Sequence, residues 1–580
     1  MTQSRADVSN APRPLRLWPG VVLLMLQWLV RFGIPVVFPE QVALAVLGGL
    51  GFGIAIGLWW MFFSRALWSE RLGTLGLTLL AIGVAFPLAD VSIKTGMMGM
   101  MFFIYATPTL TLAFVAWAIL GRNLKGRMRW LAMAVVLLVG AGIWTLFRTN
   151  GMAGNAKADL AWRWAPTAEE QLLAEGTGKV KTAAPLVDAS VAEVDWPGFR
   201  GPNRDGVVVG VRIDPDWTAS PPKEMWRQAV GPAWSSFAVR GNRFFTQEQR
   251  GEEEVVSCYQ VGTGKMIWRH GDSTRFWESN AGAGPRATPS LFEDRVYAFG
   301  GTGILNVLEA EDGRLVWSRN VGEDTGVEIS TWGFSSSPLI YGDLVVVAAA
   351  GTMAAYDLGT GESRWKGPDG GASYSSPQLV VIGGQHQILM MVESGVTAVS
   401  PDDGKTLWHH DWEGYPILQP AMTGEGELLI AVNARSGLRK LAISNDGGNW
   451  KAETLWSTNR MKPYFNDVVV HRGYVYGFDG RILACIDAAK GERQWKGGRY
   501  GNGQLFLLAD QNLLVVVSEE GELVLVSAAP DAFHEVARVP AIEGKTWNHP
   551  VLAGDVLLVR NSEVMAAFKL ALQPAEATRL

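Results

Sequence analysis

The chain has 580 residues, a formal net charge of −5 and 48% apolar residues. This length exceeds one ordinary domain, and the small net charge argues against the basic surface of a nucleic-acid-binding protein. The only two cysteines, Cys258 and Cys485, lie far apart within apolar runs. We therefore expect buried free thiols rather than a disulfide, a zinc site or a haem attachment.

The first 148 residues are predicted to form a helical transmembrane domain. Five apolar stretches are long enough to cross a bilayer, at roughly 16–37, 41–63, 72–89, 97–121 and 129–148. Basic residues concentrate before the first span and after the second and fourth, whereas the other two loops hold Glu40 and then Asp90 with Lys94. The positive-inside rule then puts the N-terminus in the cytoplasm and everything after Phe147 on the far side. Cleavage as a signal peptide is disfavoured, because no small-x-small site follows the first span.

Two polar features of the spans allow alternative interpretations. Arg31 and Asp90 can pair within the membrane, or each can snorkel to the nearby interface. Met97, Met98, Met100 and Met101 can bind copper or serve as adaptable apolar packing, and we favour packing. The scarcity of intramembrane charges argues against a transporter.

The composition changes after the spans. Residues 149–194 are rich in Ala, Thr, Glu and Lys without a strand pattern, and we predict a periplasmic linker with one short helix at 168–175. From residue 195 to 580, apolar runs of four to seven residues alternate with Gly, Asp and Asn turns. This pattern is typical of an all-β domain.

A repeat runs through the β region. Glycine, three residues and then tryptophan recur in GTGKMIW (262–268), EDGRLVW (311–317), GTGESRW (359–365) and at two later places. The tryptophans of these five motifs are Trp268, Trp317, Trp365, Trp408 and Trp495, and Trp456 of AETLW fills the gap between the last two. A period of about 45 residues built only of strands indicates four-stranded propeller blades. The glycine is expected to open the turn before the outer strand, and the indole to wedge between neighbouring blades.

The ends of the repeat suggest how the ring closes. Trp226 resembles the tryptophan at the end of a blade, but no blade precedes it. The last strand run, 563–570, has no outer strand after it. We predict that the strand at Trp226 completes the last sheet, which gives eight blades. Seven blades would require one unit of about 80 residues, although residues 496–570 contain two sets of strands.

The tryptophan-terminated repeat resembles the pyrroloquinoline-quinone (PQQ) propeller repeat of quinoprotein dehydrogenases and of BamB-like outer-membrane assembly lipoproteins. Further stretches are similar to bacterial PQQ-like repeat proteins, namely DWPGFRGPNRDG (195–206), GPRATPS (284–290), TWGFSSSPLIYGD (331–343), ASYSSPQ (372–378) and KTWNHP (545–550). Five spans ahead of such a propeller also resemble the layout of membrane-bound glucose dehydrogenase. The resemblance implies a propeller fold over about 195–570, and no particular activity.

Residues that precede the inner strand of each blade are expected to line the axial funnel. The candidate ligand-binding residues are Arg286, Trp332, Ser335, Tyr374, Ser375, Asn466, Asn502, Gln504, Trp547, Asn548 and His549. They can form a polar funnel with aromatic platforms. Alternatively, the small and amide side chains satisfy backbone groups where the inner strands crowd together.

Two functions are compatible with the sequence. The blades are close to minimal length, the adjacent cysteines of quinoprotein alcohol dehydrogenases are missing, and a bare funnel would be wide and wet. We therefore predict a non-catalytic module of the bacterial inner membrane whose propeller binds a periplasmic or envelope protein or ligand, with no catalytic residues and no metal site. The alternative is a PQQ- and calcium-dependent dehydrogenase for an alcohol or sugar that delivers electrons to membrane quinone.

Overall fold

The computed structural model describes residues 15–38, 41–154, 157–174, 176, 181–182, 196–433 and 436–573. It divides into two compact units, of which the first holds Met1–Ala165 with Ser279–Ala281 and the second holds Pro166–Glu278 with Gly282–Leu580. Glu40, most of the basic N-terminal segment and much of the predicted linker lie outside the described residues.

The first unit is mainly helical, because its apolar stretches are long and hydrophobic on all sides. Its helices are Trp18–Trp28 (α1), Ile34–Val37 (α2), Val42–Leu58 (α3), Trp68–Leu88 (α4), Val91–Thr95 (α5), Met101–Leu120 (α6) and Gly126–Gly142 (α7). Short π-helical or 3-10 turns extend them, at Leu29–Gly33, Trp59–Phe63, Gly121–Asn123 and Ile143–Leu146.

Five helical stretches in the described part of the chain have the length and hydropathy of membrane spans. They are Trp18–Val37, Val42–Phe63, Trp68–Leu88, Met101–Asn123 and Gly126–Leu146. The predicted number is therefore confirmed, with boundaries shifted by a few residues. The third span begins at Trp68 rather than at residue 72, because its first turn keeps two charged residues, Glu70 and Arg71, inside the helix.

The first unit, which we call the membrane unit, contains an ion pair that the sequence did not predict. Glu70 on α4 accepts a hydrogen bond from Arg129 on α7, with Nε and Oε1 2.7 Å apart. The same guanidinium donates to the carbonyl of Gly121 and lies 4.8 Å from the ring centre of Trp117. Since these contacts occupy Arg129, they fasten α4 to α7 at one end of the unit.

Arg31 and Asp90, the pair considered above, make separate contacts. The Arg31 guanidinium lies over the rings of Phe32 and Tyr105, at 5.3 and 5.5 Å. Asp90 accepts from the backbone and hydroxyl of Ser92 and so caps α5.

The segment predicted as a linker contains more structure than the sequence indicated. Strands Phe147–Met152 (β1) and Ala158–Trp162 (β2) form a hairpin within the first unit. The expected short helix is Ala168–Ala174 (α8), in the second unit, where Glu169 pairs with Arg275 at 2.7 Å. The hairpin escaped prediction because its strands lack a run of β-branched residues.

The second unit is an eight-bladed propeller of antiparallel sheets, as predicted. Three strands come before the first full blade: Lys181–Thr182 (β3), Val207–Val208 (β4) and Lys223–Ala229 (β5). Blade 1 follows, with Ala238–Arg240 (β6), Arg243–Arg250 (β7), Glu253–Gln260 (β8) and Met266–Asp272 (β9). A small hairpin then leads to blade 2, through Trp277–Glu278 (β10) and Gly282–Ala283 (β11).

Blades 2 to 4 repeat this plan. Their strands are Ser290–Phe292 (β12), Arg295–Phe299 (β13), Ile304–Glu309 (β14) and Leu315–Asn320 (β15); Leu339–Tyr341 (β16), Leu344–Ala349 (β17), Thr352–Asp357 (β18) and Ser363–Lys366 (β19), preceded by helix Val321–Thr325 (α9); and Gln378–Ile382 (β20), Gln385–Val392 (β21), Gly395–Val399 (β22) and Thr406–Asp411 (β23).

Blades 5 to 7 are also four-stranded. Their strands are Ala421–Gly424 (β24), Glu427–Ile430 (β25), Leu438–Asp446 (β26) and Asn449–Thr458 (β27); Val469–His471 (β28), Tyr474–Asp479 (β29), Ile482–Asp487 (β30) and Arg493–Arg499 (β31); and Gln504–Leu508 (β32), Leu513–Val517 (β33), Glu522–Ser527 (β34) and Glu535–Pro540 (β35). The buried cysteines lie on β8 and β30 and are free thiols, as expected.

Blade 8 closes the ring in the predicted way. Val551–Ala553 (β36), Val556–Arg560 (β37) and Val564–Lys569 (β38) pair in sequence, and β5 then adds antiparallel to β38 as the fourth strand. Trp226 is opposite Ala567 in this register. A strand from before the first blade thus completes the last one.

The glycine–tryptophan repeat has a packing explanation. Each repeat glycine has positive φ in the turn before the outer strand, and it lies against the indole of the preceding blade. A Cβ added at Gly264 would come within 2.7 Å of the Trp226 ring, and one at Gly313 within 2.4 Å of Trp268. The glycine therefore satisfies two requirements at once, a left-handed turn and room for the neighbouring indole.

The indole N–H groups strengthen most of these junctions. Trp226, Trp268, Trp317, Trp365 and Trp495 each donate to a carbonyl of the next blade, at 2.7 to 3.2 Å. Trp408 instead donates to Gln387 of its own blade. Trp456 is the exception, because it is half-buried and its N–H has no partner among the described residues.

Candidate functional site: the axial channel and its aromatic mouth

A segment that precedes the first blade runs through the centre of the propeller. We call Trp196–Val208 the channel segment. Trp196 forms a backbone bridge with Val239 of β6, and its last two residues pair parallel to β32. The segment therefore joins the inner strands of blades 1 and 7.

Two arginines of the channel segment reach other blades. Arg200 donates to the carbonyl of Val468 at the start of blade 6, at 2.7 Å. Arg204 donates to the carbonyls of Ser337 and Pro338 at the start of blade 3, at 3.1 and 2.8 Å. The expectation of a bare, wide and wet funnel was therefore wrong, because the propeller fills its own axis with residues of the DWPGFRGPNRDG stretch.

A buried polar cluster surrounds Arg200. The Arg200 Nε lies 3.7 Å from an oxygen of Asp467, whose other oxygen accepts from the backbone of Gln419 at 2.8 Å. His549 Nε2 lies 3.9 Å from the same carboxylate, and its ring meets Phe199 edge-on at 5.1 Å. Burial outweighs the nearby cations and raises the pKa of Asp467. Burial, and then Arg200, lowers the pKa of His549 to about 3, so His549 is neutral at physiological pH.

His549 should therefore make the stability of the propeller depend on pH. Between the ordinary histidine pKa of 6.5 and the lowered pKa of about 3, the unfolded chain binds a proton at this residue that the folded chain does not. The free energy of unfolding then falls as the pH falls, by about 1.4 kcal/mol per pH unit. Urea unfolding measures this effect. Between pH 7.5 and 5.0, the free energy of unfolding of the wild type should fall by about 2 kcal/mol more than that of His549→Gln. Equal losses in the two proteins would contradict this assignment.

The mouth of the channel is lined by aromatic side chains. We call mouth the set Trp234, Trp332, Tyr374, Tyr415, Tyr464, Phe465 and Trp547, all on loops that lead into inner strands. Trp332 packs on Tyr374 with ring centres 4.9 Å apart. Trp547 packs on Trp234 and on Phe465, each at 4.9 Å. These rings are half-buried or exposed, with Tyr415 62% exposed.

Charged groups lie among the rings of the mouth. Burial raises the pKa of Tyr374, and Glu278, Tyr464 and Tyr415 lie close enough to raise it further. The Lys545 ammonium lies 4.4 Å from the ring centre of Trp547 and 5.0 Å from that of Trp234. The mouth therefore already accommodates one cation on aromatic faces.

Arg286, the one cationic side chain among the predicted ligand-binding residues apart from His549, makes its contacts within the protein. Arg286 donates to the carbonyls of Gly282, Ala283, Gly284 and Trp332 at 2.8 to 3.2 Å, and it lies 3.6 Å from Glu278. Burial lowers its pKa to about 10. Because these acceptors occupy the guanidinium, Arg286 holds the Trp332 loop in place.

The other polar candidates mainly join neighbouring blades. Gln504 donates to the carbonyls of Phe465 and Trp547, and Ser335 donates to the carbonyl of Tyr374. The remaining contacts are Ser375 to Leu418, Asn466 to Gly503, Asn548 to Ala233 and Ser235, and the Asn502 backbone to Glu519. These contacts match the interpretation in which inner-strand side chains satisfy crowded backbone groups.

The sequence interpretation thus located three of the mouth aromatics but missed the other four and the channel arginines. Trp332, Tyr374 and Trp547 were predicted because they precede the inner strands of their blades. Trp234 occupies the equivalent position in AWSSF (233–237), which resembles the ASYSSP stretch and could have been found by aligning the two.

The residues present do not fit PQQ with calcium. The carboxylates of PQQ require free cationic partners, whereas Arg286 donates to four carbonyls and faces Glu278, and Arg200 faces Asp467. Calcium requires a cluster of oxygen ligands, and the described ranges hold no group of three or more His, Cys, Asp or Glu that could bind a metal. The channel segment also occupies the axis below the mouth.

Comparisons with known proteins agree with the fold. Residues 251–496 match the family model described as "Outer membrane protein assembly factor BamB". The BamB proteins of Shewanella oneidensis and Burkholderia pseudomallei are 26% and 24% identical, over 25% and 39% of this chain. The matches cover 36% and 59% of those relatives, which is less than two thirds of their length. The second unit is a BamB-like propeller of PQQ-like repeats.

A solved structure shows the same fold. A europium-containing methanol dehydrogenase superposes with a TM-score of 0.51 and 11% identity, over 66% of this chain and 100% of its own. At this identity the likeness concerns the fold alone.

Proposed function

We propose that this protein is a membrane-anchored binding module whose propeller engages a periplasmic or envelope protein through the mouth, without catalysing a reaction. The supporting observation is the mouth itself, with seven aromatic side chains above a channel that the protein fills with its own residues. Because the axis below is occupied, a partner would be held at the surface of the mouth. Exposed aromatic residues are the side chains that contribute most to protein interfaces.

The chemistry of the mouth favours a partner that presents lysine or arginine. Lys545 already lies on the indole faces of Trp234 and Trp547, which shows that these rings can hold a cation. Glu278, which lies near Tyr374, already faces Arg286 at 3.6 Å, so a cation of the partner would meet mainly the aromatic faces of the mouth.

The proposed location is the bacterial inner membrane, with the N-terminus in the cytoplasm and the propeller in the periplasm. Arg65 and Lys125 lie in the loops after the second and fourth spans, and the helix turns next to these loops carry Arg71, Arg122, Arg127 and Arg129. The loop after the third span carries Asp90 and Lys94. This asymmetry supports an odd number of crossings with the propeller outside.

Site-specific photo-crosslinking of the full chain in its native host tests the proposal. A crosslinking amino acid at Tyr415 or Trp332 should give a discrete protein adduct. The same amino acid at Asp343, exposed in the turn between β16 and β17 of blade 3, serves as the control. Substituting Trp332→Ala with Tyr374→Ala should reduce the Tyr415 adduct at least fivefold. Adducts of equal yield at the control position, or none at the mouth, would contradict the proposal.

A PQQ-dependent dehydrogenase is the alternative function drawn from the sequence, although the residues of the mouth and the channel do not fit PQQ with calcium. Incubation of the full chain in lipid nanodiscs with PQQ and calcium separates the two candidates. Dye reduction that depends on an alcohol or a sugar would establish the dehydrogenase and overturn the proposal of a non-catalytic module.

A further inference from the structure

The membrane unit contains an apolar groove between α4 and α7. Its volume is about 680 Å³, and its walls include Gly73, Gly76 and Leu80 of α4 with Arg127, Trp130 and Ala134 of α7. Both helices belong to candidate membrane spans. The groove therefore opens toward the region that lipid occupies.

Two glycines give the groove its shape in different ways. The Trp130 ring lies directly on Gly73, where an added Cβ would come within 2.2 Å of it. One turn further along α4, nothing lies within 4 Å of a Cβ added at Gly76. Trp130 thus forms one wall, and the missing side chain of Gly76 leaves the adjoining space open.

The charge at one end of the groove is positive and uncompensated. Arg71 donates to the carbonyls of Met61 and Ala66, and Arg129 pairs with Glu70. Arg127, which lines the groove, is exposed and has no ion-pair partner among the described residues. Arg127 is thus a cation available at the end of an otherwise apolar groove.

We propose that this groove binds one anionic phospholipid. The phosphate would contact Arg127, and the upper part of one acyl chain would lie against Gly76, Leu80 and Ala134. Residues 127 to 134 span roughly 10 Å along the helix, about a third of the hydrocarbon core. A negative headgroup complements Arg127, while the apolar walls select a hydrocarbon chain rather than a free phosphate.

Native mass spectrometry of the full chain, released from detergent with equal amounts of phosphatidylglycerol and phosphatidylethanolamine, tests the site. The wild type should retain one phosphatidylglycerol about fivefold more than phosphatidylethanolamine, which corresponds to about 1 kcal/mol for one cation. Arg127→Gln should abolish this preference. Gly76→Leu should reduce retention of both lipids, because its side chain fills the open space.

Matched variants control for general effects. Arg122→Gln removes a neighbouring exposed charge, and Gly83→Leu enlarges another exposed glycine of α4 with open space around it. Both should retain lipid like the wild type. Gly76→Ala adds a single methyl group and serves if Gly76→Leu fails to fold. Equal retention of the two lipids by the wild type, unchanged retention in Gly76→Ala and Gly76→Leu, or losses of the same size in the controls would overturn the proposal.

Discussion

Replacing Trp226 with alanine should lower the free energy of unfolding of the propeller by about 3–5 kcal/mol. The side chain is fully buried, stacks on Phe244 at 5.6 Å and donates to the carbonyl of Val261 at 2.7 Å. It also lies at the junction where β5 closes the ring. Urea unfolding of the full chain in detergent, followed by near-ultraviolet circular dichroism, measures the loss.

Trp456→Ala provides the comparison within the same repeat. This indole is only half-buried, and its N–H has no partner in the described part of the chain. Its removal should cost less than half as much as the removal of Trp226. Equal losses of unfolding free energy in the two variants would show that Trp226, at the closing junction, contributes no more to stability than Trp456.

Replacing Arg200 with methionine should destabilise the propeller by about 3–5 kcal/mol, because it leaves Asp467 buried without its cation. The methionine retains most of the apolar stem of the arginine, so the loss reports mainly on charge and hydrogen bonds. The carbonyl of Val468 also loses its donor. The same unfolding assay measures this effect.

A second substitution distinguishes loss of the ion pair from loss of packing. Asp467→Asn removes the charge and keeps a carbonyl oxygen that can accept from the backbone of Gln419. Arg200→Met combined with Asp467→Asn should recover at least half of the stability lost by Arg200→Met alone. If the double variant is no more stable than the single one, the buried carboxylate is not the cause.

The repeat could be predicted from the sequence because its signal is local and recurs. Gly264 and Trp268 are four residues apart, and the same pair returns in later blades, so the turn and the outer strand were visible without coordinates. Ring closure by Trp226 followed from a mismatch between the two ends of the repeat. The contact of each glycine with the preceding indole was not visible, because it joins residues about 40 apart.

The channel segment could not be predicted because its contacts are non-local. Arg200 meets Asp467 and Val468 across more than 260 residues of chain. Neither Arg200 nor Asp467 belongs to a periodic sequence pattern that would identify its partner. The DWPGFRGPNRDG stretch was recognised only as similar to PQQ-like repeat proteins. Its position in the funnel was therefore not predicted.

The site prediction was made from position within the blade, which identifies the loops but not the acceptors within reach. Arg286 shows the difference, since its position suggests a ligand contact and its four carbonyl partners use its donors internally. Trp332 and Tyr374 differ from Arg286, because their rings pack on each other and stay partly exposed.

The pairing of β5 with β38 has a consequence for biosynthesis. The nascent chain presents Trp226 more than 330 residues before Ala567, its partner in the register, is translated. Until then the strand at Lys223–Ala229 has an unpaired edge that is available to other chains, and unpaired edges promote aggregation. We expect maturation to be slow, to depend on holding chaperones on the side of the membrane where the blades assemble, and to fail abruptly when truncation removes Val564–Lys569.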